Sequence, residues 1–295
     1  MDVPFIRTAL FVPGNQPERV DKAVSTAADA LIIDLEDAVP LAEKANARIK
    51  VRDKIIQYDK RVIFVRVNGL ESGYLQEDLE CVVAAPLDGI VLPKVESKDH
   101  IREINYMLNQ LEQAKGILEG SIVIIPLIES ARAIENLFEV VSEKTDTPRF
   151  YTVAFGAADF ALDLGIELTK EGTELFYARS RLPIACRAAG LEPPLDTPFM
   201  IDLKDLKALE SDARRARQLG FQGKLCVHPN QVAPINEIFS PSDEEIAFAK
   251  RVVQVFEDAE ARGLGAVQVE GKMIDYPVVR HFRKILKFAA YLSKI

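Results

Sequence analysis

The chain has 295 residues, 48% of them apolar, and carries 45 Asp and Glu against 37 Lys and Arg for a net charge of −8. That apolar share supplies a sizeable core for one large domain or two smaller ones and excludes wholesale disorder. The acidic balance excludes nucleic acid as the main partner, because neutralising phosphates needs a basic face. Three scattered cysteines, Cys81, Cys186 and Cys226, make no CxxC pair and no secreted-type framework, so a reducing cytoplasm is expected. The histidines (His100, His228, His281) are equally scattered, which argues against a His-based zinc site. The opening MDVPFIRTALF has Asp2 where a leader carries positive charge, and Arg7 interrupts its apolar stretch. The longest apolar run, Ile122–Ile128, is far too short to span a membrane and contains Pro126, so no membrane partner is expected.

In chain order, short β-branched runs alternate with amphipathic stretches. Strands are predicted at Thr8–Val12, Ala30–Leu35, Val62–Val67, Gly89–Leu92, Ser121–Leu127, Phe150–Phe155, Phe199–Ile201 and Lys224–Val227. Most are apolar on consecutive residues, as parallel strands covered on both faces are. Helices are predicted at Pro17–Ala28, Leu41–Tyr58, Leu75–Ala84, Ser97–Gln113, Ala131–Ser142, Phe176–Ala189 and Asp202–Leu219, with Ser97 as a cap and Gly220 as a stop. A strand–helix unit repeated about eight times predicts an α/β protein, a (β/α)8 TIM barrel over residues 1–239; a doubly wound open sheet is the alternative. Residues 240–295 form an extension. Ser240-Pro241 opens a helix to about Arg262, Val267–Asp275 alternates like a hairpin, and a last helix from Pro277 carries Val278, Val279, Phe282, Ile285, Leu286 and Ala289 on one face. So apolar a face is expected to pack on the barrel or on a neighbouring subunit, as a lid.

The chemistry gathers where strands end. Pro13-Gly14-Asn15, Asp34-Leu35-Glu36-Asp37, Arg66 with Asn68, Pro93-Lys94, Glu129-Ser130, Gly156-Ala157-Ala158-Asp159 and His228-Pro229-Asn230 all follow predicted strands. In a barrel these ends converge on one mouth. An acid behind Ile124–Ile128, as Glu129 is, meets desolvation unless it is paired or metal-bound. Glu129 and Asp159 on adjacent strands suit a hard divalent cation such as magnesium. Arg66, inside an apolar run, needs an anionic partner; a buried structural Arg–Glu pair is the competing reading. Lys94 reads as a charge partner for the mouth acids rather than a Schiff-base nucleophile. His228 reads as loop-fixing and Cys226 as core. The amides of Gly14 and Asn15, ahead of the Pro17 helix, are an anion-site candidate without a GxGxxG context.

Taken together, Arg7–Asn15, Asp34–Val39, Lys44 with Ala47-Arg48, Val65–Asn68, Leu92–Val95, Ile128–Ser130 and Gly156–Phe160 resemble the citrate lyase beta-subunit family. Gly223-Lys224, His228–Gln231 and Gly271–Asp275 continue the pattern. That family includes malyl-CoA and citramalyl-CoA lyases and is related to the HpcH/HpaI aldolases. The resemblance implies a barrel of the phosphoenolpyruvate/pyruvate type in a homotrimer or hexamer. It implies magnesium, or manganese in its place, on Glu129 and Asp159. Arg66 is then expected to hold the carbonyl oxygen and the developing enolate, and Glu36 and Asp37 to position metal-bound waters. Asp275 is expected to reach a neighbouring subunit's mouth as an acid/base. Arg7 and the Pro13-Gly14-Asn15 turn are expected near a coenzyme A thioester, with Lys22 near its phosphates. The implied activity is a carbon–carbon lyase cleaving a 3-hydroxyacyl-CoA of malyl, citramalyl or citryl type to acetyl-CoA and a 2-oxo acid. Three alternatives stay open: a beta subunit acting on a citryl thioester with alpha and acyl-carrier subunits, an aldolase on free 2-oxo acids, and a non-catalytic CoA- or metabolite-binding barrel.

Overall fold

Period-two alternation within short apolar runs builds the barrel. The structure is a computed structural model that describes residues 5–293; Asp2, on which the leader reading leans, lies outside them. The strands are β1 (Thr8–Pro13), β2 (Ala30–Asp34), β3 (Ile63–Arg66), β4 (Gly89–Leu92), β5 (Val123–Ile128), β6 (Ala154–Phe155), β7 (Leu195–Asp196) and β8 (Gly223–Cys226). They pair in parallel in sequence order, and β8 pairs back with β1 to close the ring. Ala30 and Ile32 of β2 cluster with Phe64, Val91, Ile125 and Leu225 inside the barrel. Leu31 and Ile33 join the larger core between strands and helices. Each strand thus feeds two cores by alternation.

The same alternation directs the charged residues. Asp34 stands in register with Arg66, and both continue the inward-facing set. Asp196 stands in register with Lys224, but their neighbours Leu195 and Leu225 point in, so this pair points out, towards the helices.

Helices α1 (Pro17–Val24), α2 (Lys44–Gln57), α3 (Leu75–Val82), α4 (Lys98–Lys115), α5 (Ala131–Glu135), α6 (Leu137–Val141), α7 (Ala157–Leu164), α8 (Phe176–Ala189), α9 (Leu206–Leu219) and α10 (Val232–Phe239) connect and cover the strands. The architecture is a (β/α)8 TIM barrel. Ser97 caps α4, accepting the His100 N–H, and Gly220 ends α9 at φ +105°. The outward pair meets both neighbouring helices. Arg179 of α8 donates to Asp196 (2.9 and 3.0 Å) and to Asp212 of α9 (2.8 and 3.1 Å), while Lys224, fully buried, donates to Asp196 and lies 2.7 Å from Asp212. Burial alone would raise the Asp212 carboxyl, but Lys224 and Arg179 outweigh it and hold it well below the ordinary carboxylate range.

Contacts divide the chain into two compact units, 1–239 and 240–295. The second comprises α11 (Asp243–Glu260), an antiparallel hairpin of β9 (Ala266–Val269) and β10 (Lys272–Asp275), and α12 (Tyr276–Leu292). Ser242, not Ser240, opens α11 through a reciprocal cap with Glu245 (3.1 and 2.8 Å). This unit has its own core of Val252, Phe256, Val269, Ile274 and Val279.

Several element expectations are corrected. The seventh strand is Leu195–Asp196, not Phe199–Ile201. Pro193-Pro194 and an acid disguise the true strand, while Met200 and Ile201 are each 41% exposed and pair with nothing in the sheet. The stretch 131–142 breaks at Asn136 into α5 and α6. Pro17–Ala28 ends at Val24, and Asp202–Leu219 begins only at Leu206, where Asp205 caps it by accepting the Ala208 N–H. Neither α7 nor α10 was anticipated. Among the described residues no helix is long and apolar enough to cross a membrane.

Candidate active site

The inward pair defines the mouth. Arg66 Nε and Nη2 grip Asp34 Oδ1 and Oδ2 at 2.6 and 2.5 Å, a bidentate fork made possible by their shared register. Phe11 lies beneath, 5.0 Å from the guanidinium. Burial alone would lower the Arg66 pKa, but hydrogen bonding to Asp34 and the charges of Asp34, Glu36 and Asp37 raise it beyond its ordinary value, so it is a permanent cation. Nη1, left over from the fork, lies 3.0 Å from Glu36 Oε2 and 3.6 Å from the exposed Asp37.

The loop after β2 is pinned from below. Buried Lys44 donates to Leu35 O (2.8 Å), Glu36 O (3.0 Å) and Asn68 Oδ1 (2.7 Å). Asn68 is held in turn by Asp78, which also binds Arg48 at 2.6 Å. Burial lowers the Lys44 pKa, and the surrounding acids oppose it. Glu36 is thereby presented almost fully buried, with Oε1 accepting from Lys94 Nζ at 2.7 Å. Its Oε2 has no hydrogen-bond partner, the 3.0 Å approach of Arg66 lacking the required alignment. Burial raises the Glu36 carboxyl, against the pull of Arg66 and Lys94.

Opposite, Glu129 continues the inward set Val123, Ile125, Leu127. It lies against the Gly156 backbone so closely that a Cβ there would come within 2.6 Å of Oε2, so only glycine fits. Its Oε1 accepts the Lys94 main-chain N–H at 2.7 Å. Burial, helped by the charges of Asp159 and Glu36 and opposed by that N–H, pushes the Glu129 carboxyl up to about 8. Asp159, half-buried in the first turn of α7, shares with Glu129, Asp37 and Lys94 a cavity of about 430 Å3. A second cavity of about 760 Å3 adjoins at Asp37, Lys94 and Glu96 and runs out past Val39, Leu70 and Tyr74.

Asp34, Glu36, Asp37, Glu129 and Asp159 thus face Arg66, Lys94 and Lys44. The acids are in excess, Glu36 Oε2 accepts no hydrogen bond and has only the ion-pair approach of Arg66, and burial pushes the Glu129 carboxyl up. A divalent cation would offset that excess, so the chemistry of these residues fits magnesium. Among the described residues no cluster of three or more His, Cys, Asp or Glu has metal-holding geometry. Magnesium commonly takes one or two carboxylates and fills its remaining positions with water or substrate oxygens.

Within the barrel, Arg7 and Lys22 lie away from the mouth. Arg7 precedes β1 rather than following it, at the end of the barrel away from the mouth, where it grips Asp29, itself just ahead of β2 (2.7 and 2.9 Å). Lys22 lies exposed in the last turn of α1, which runs back from the mouth. Pro13, Gly14 and Asn15 do lie at the mouth, but the Gly14 amide donates to Asp34 O (2.8 Å) and is not available to an anion. A Cβ at Gly14 would come within 2.6 Å of that oxygen, so the glycine serves close strand approach. Asp275 closes β10 in the second unit and caps α12, accepting the Val278 N–H at 3.1 Å. His228 fixes its own loop by accepting the Asn230 N–H at 3.2 Å, and Cys226 is core, its thiol pushed up to about 12 by burial. Asp34 as the Arg66 clamp, and the Lys44–Asn68–Asp78 props, were missed. Period-two alternation from Ile32 and Phe64 was the available signal for the clamp.

A TIM barrel whose strand ends carry an acid-rich mouth around one fixed arginine has the layout of a barrel enzyme with its site at the C-terminal face of the strands. Residues 7–229 match the HpcH/HpaI aldolase/citrate lyase family model. The chain is 34% identical to citrate lyase subunit beta of Leuconostoc mesenteroides subsp. cremoris, over 96% of this chain and 93% of that one. It is 32% identical to L-malyl-CoA/beta-methylmalyl-CoA lyase of Cereibacter sphaeroides, over 97% and 95%. Its fold matches that of CitE from Mycobacterium tuberculosis in complex with magnesium, acetoacetate and coenzyme A, with a TM-score of 0.77, 29% identity and coverage of 96% and 98%. The chain belongs to the HpcH/HpaI aldolase/citrate lyase family and is an enzyme of the lyase class.

Proposed function

We propose that the chain is a magnesium-dependent lyase that reversibly cleaves a 3-hydroxyacyl-CoA of the malyl, citramalyl or citryl type to acetyl-CoA and a 2-oxo acid. The observation that carries this is the acid excess at the mouth beside an arginine locked by Asp34. Held by Glu129 and Asp159, magnesium supplies the positive charge that acidifies the substrate hydroxyl in cleavage and polarises the 2-oxo oxygen in synthesis. Arg66, permanently charged and unable to swing, offers Nη1 to the oxygen on which the acetyl enolate's charge develops. The hydroxyl gives its proton to water at the mouth, its oxygen's electron pair forms the 2-oxo carbonyl as the carbon–carbon bond breaks, the bond's pair goes to the acetyl enolate, and the enolate carbon then takes a proton. With such a cation bound, Glu36 and Asp37 would be placed to orient its water. Asp275, from the second unit of a neighbouring subunit in a trimer or hexamer, is the proposed donor of the returning proton. Asn also caps helices, so Asp275→Asn should keep α12 folded and still bind thioester, yet cleave poorly; unchanged turnover would remove Asp275 from the mechanism.

The test is release of acetyl-CoA from malyl-, citramalyl- and citryl-CoA with magnesium and with a chelator. Magnesium-dependent release from one or more of them is expected; release that persists in the chelator, or none at all, contradicts the proposal. A second reading, the beta subunit of a citrate lyase complex working on a carrier-bound citryl thioester, is favoured by the relationship to citrate lyase beta subunits over nearly the whole of both chains. Turnover confined to the carrier-bound substrate would select it.

A further inference from the structure

Lys94 combines three features. It is one of only two non-glycine residues with positive φ among those described (+57°). Its N–H donates to Glu129 Oε1 at 2.7 Å, and its ammonium, on a side chain 57% exposed, binds Glu36 Oε1 at 2.7 Å. The residue also lines both cavities. A left-handed conformation disfavours a side chain and persists only where its surroundings require it. Here it sits on the turn that sends the amide towards Glu129. Pro93, immediately before it, offers no N–H of its own.

We propose that Lys94 is a positioning residue with two separable tasks: its left-handed main chain sets the Glu129 carboxylate, and its ammonium turns Glu36. The inference rests on the reading of Glu129 as a magnesium ligand. On the main-chain side, the amide occupies Oε1, and the carboxylate stays in the narrow gap over Gly156, where a Cβ would meet Oε2 at 2.6 Å. On the side-chain side, the ammonium takes Glu36 Oε1, while Oε2 faces Arg66 Nη1 at 3.0 Å without a hydrogen bond. Without the ammonium, Oε1 loses its partner and the carboxylate is held by the Arg66 ion pair alone, so it can turn and is no longer fixed between the two cations. One residue thus aligns acids from β2 and β5, on the two sides of the mouth.

The tasks separate because a glycine keeps the left-handed turn and loses the charge, while a β-branched residue resists the turn and also loses the charge. Lys94→Gly, Lys94→Val and Lys94→Arg are compared with the unaltered protein by calorimetric titration with magnesium alone, then by turnover of the active thioester at saturating magnesium. Magnesium affinity should hold within about threefold for Lys94→Gly and Lys94→Arg and fall about tenfold for Lys94→Val, the size of the left-handed penalty. The value of kcat should fall about tenfold for Lys94→Gly with KM little changed, and recover in Lys94→Arg, as for the loss and return of one charge-assisted bond. Equal magnesium affinity for Lys94→Gly and Lys94→Val overturns the main-chain task. Full kcat in Lys94→Gly overturns the side-chain task. If Lys94→Val does not fold, Lys94→Ala carries the same comparison with a milder bias against the turn. Failure of the unaltered protein to bind magnesium would instead bring down the metal reading on which the inference stands.

Discussion

Two pairs of registered charges on neighbouring strands show how position alone divides structure from chemistry. Asp196 with Lys224, and Asp34 with Arg66, are each an acid and a base paired across parallel strands. The first points into the helix layer, where Arg179 and Asp212 complete a buried cluster of two acids and two bases, with the part-exposed Arg215 at its edge 3.4 Å from Asp212. The second points into the mouth, where Glu36, Asp37, Glu129 and Asp159 add negative charge that Lys94 and Lys44 do not cancel. Burial raises the carboxyl in both places, and the partners decide the outcome. Partners overcome it at Asp212, whose carboxyl is pulled down, but not at Glu129, whose carboxyl is pushed up to about 8. A buried cluster whose acids are matched by bases stabilises; the mouth keeps an acid excess that the proposed cation would offset.

The largest effect should come from the mouth. Glu129→Ala or Asp159→Ala should abolish magnesium-dependent turnover, a loss of at least about a thousandfold given the several kcal/mol such a cation supplies, and leave unfolding by heat or denaturant nearly unchanged. Full activity of either variant would break the contrast. Asp212→Ala should do the reverse: it strands Lys224 and Arg179 and should cost about 3–5 kcal/mol of stability in denaturant unfolding, with the mouth chemistry intact in whatever remains folded. Its pH dependence follows in sign. The Asp212 carboxyl is depressed, so its contribution is whole above the ordinary value of 3.8 and is lost as the pH falls from there towards the folded value. The unaltered protein should therefore show a steep acid limb that Asp212→Ala lacks. Next, Arg66→Lys keeps the charge but loses the fork, and kcat should fall ten- to about a hundredfold.

The smallest effect is a gain. The folded Glu129 value is raised, so its contribution is present below 4.5 and lost as the pH climbs through about 8. In a chelator, Glu129→Gln should melt a few degrees higher than the unaltered protein at pH 8 and level with it at pH 4. Equal melting at both values would mean that the mouth stores no electrostatic cost.

Much of this was legible in the residues. Consecutive apolar runs followed by amphipathic stretches announced the barrel, and strand-end acids marked its mouth, because the two cores need apolar residues on both strand faces and only the ends are left for polar ones. Strands hidden by context were not legible: β7 has two residues, one of them Asp196, behind two prolines. Helices α7 and α10 follow polar strand ends with little to separate them from loop. At the site, Glu129, Asp159, Arg66 and Lys94 were readable from where they stand, whereas the Asp34 clamp and the Lys44–Asn68–Asp78 props depend on register and on helix packing far along the chain. The Arg7–Asp29 pairing was not legible either, because it joins residues ahead of two strands that are 22 positions apart in the chain.

The central claim, that the acids at the ends of β5 and β6 hold a divalent cation that anchors an oxygenated acyl fragment, is tested most directly by a crystal structure with magnesium and a 2-oxo acid. The prediction is a cation at about 2.0–2.1 Å from oxygens of both Glu129 and Asp159, with the oxo acid on its open side and within reach of Arg66. A cation bound elsewhere, or an oxo acid seated in the mouth with these two carboxylates turned away, would contradict it.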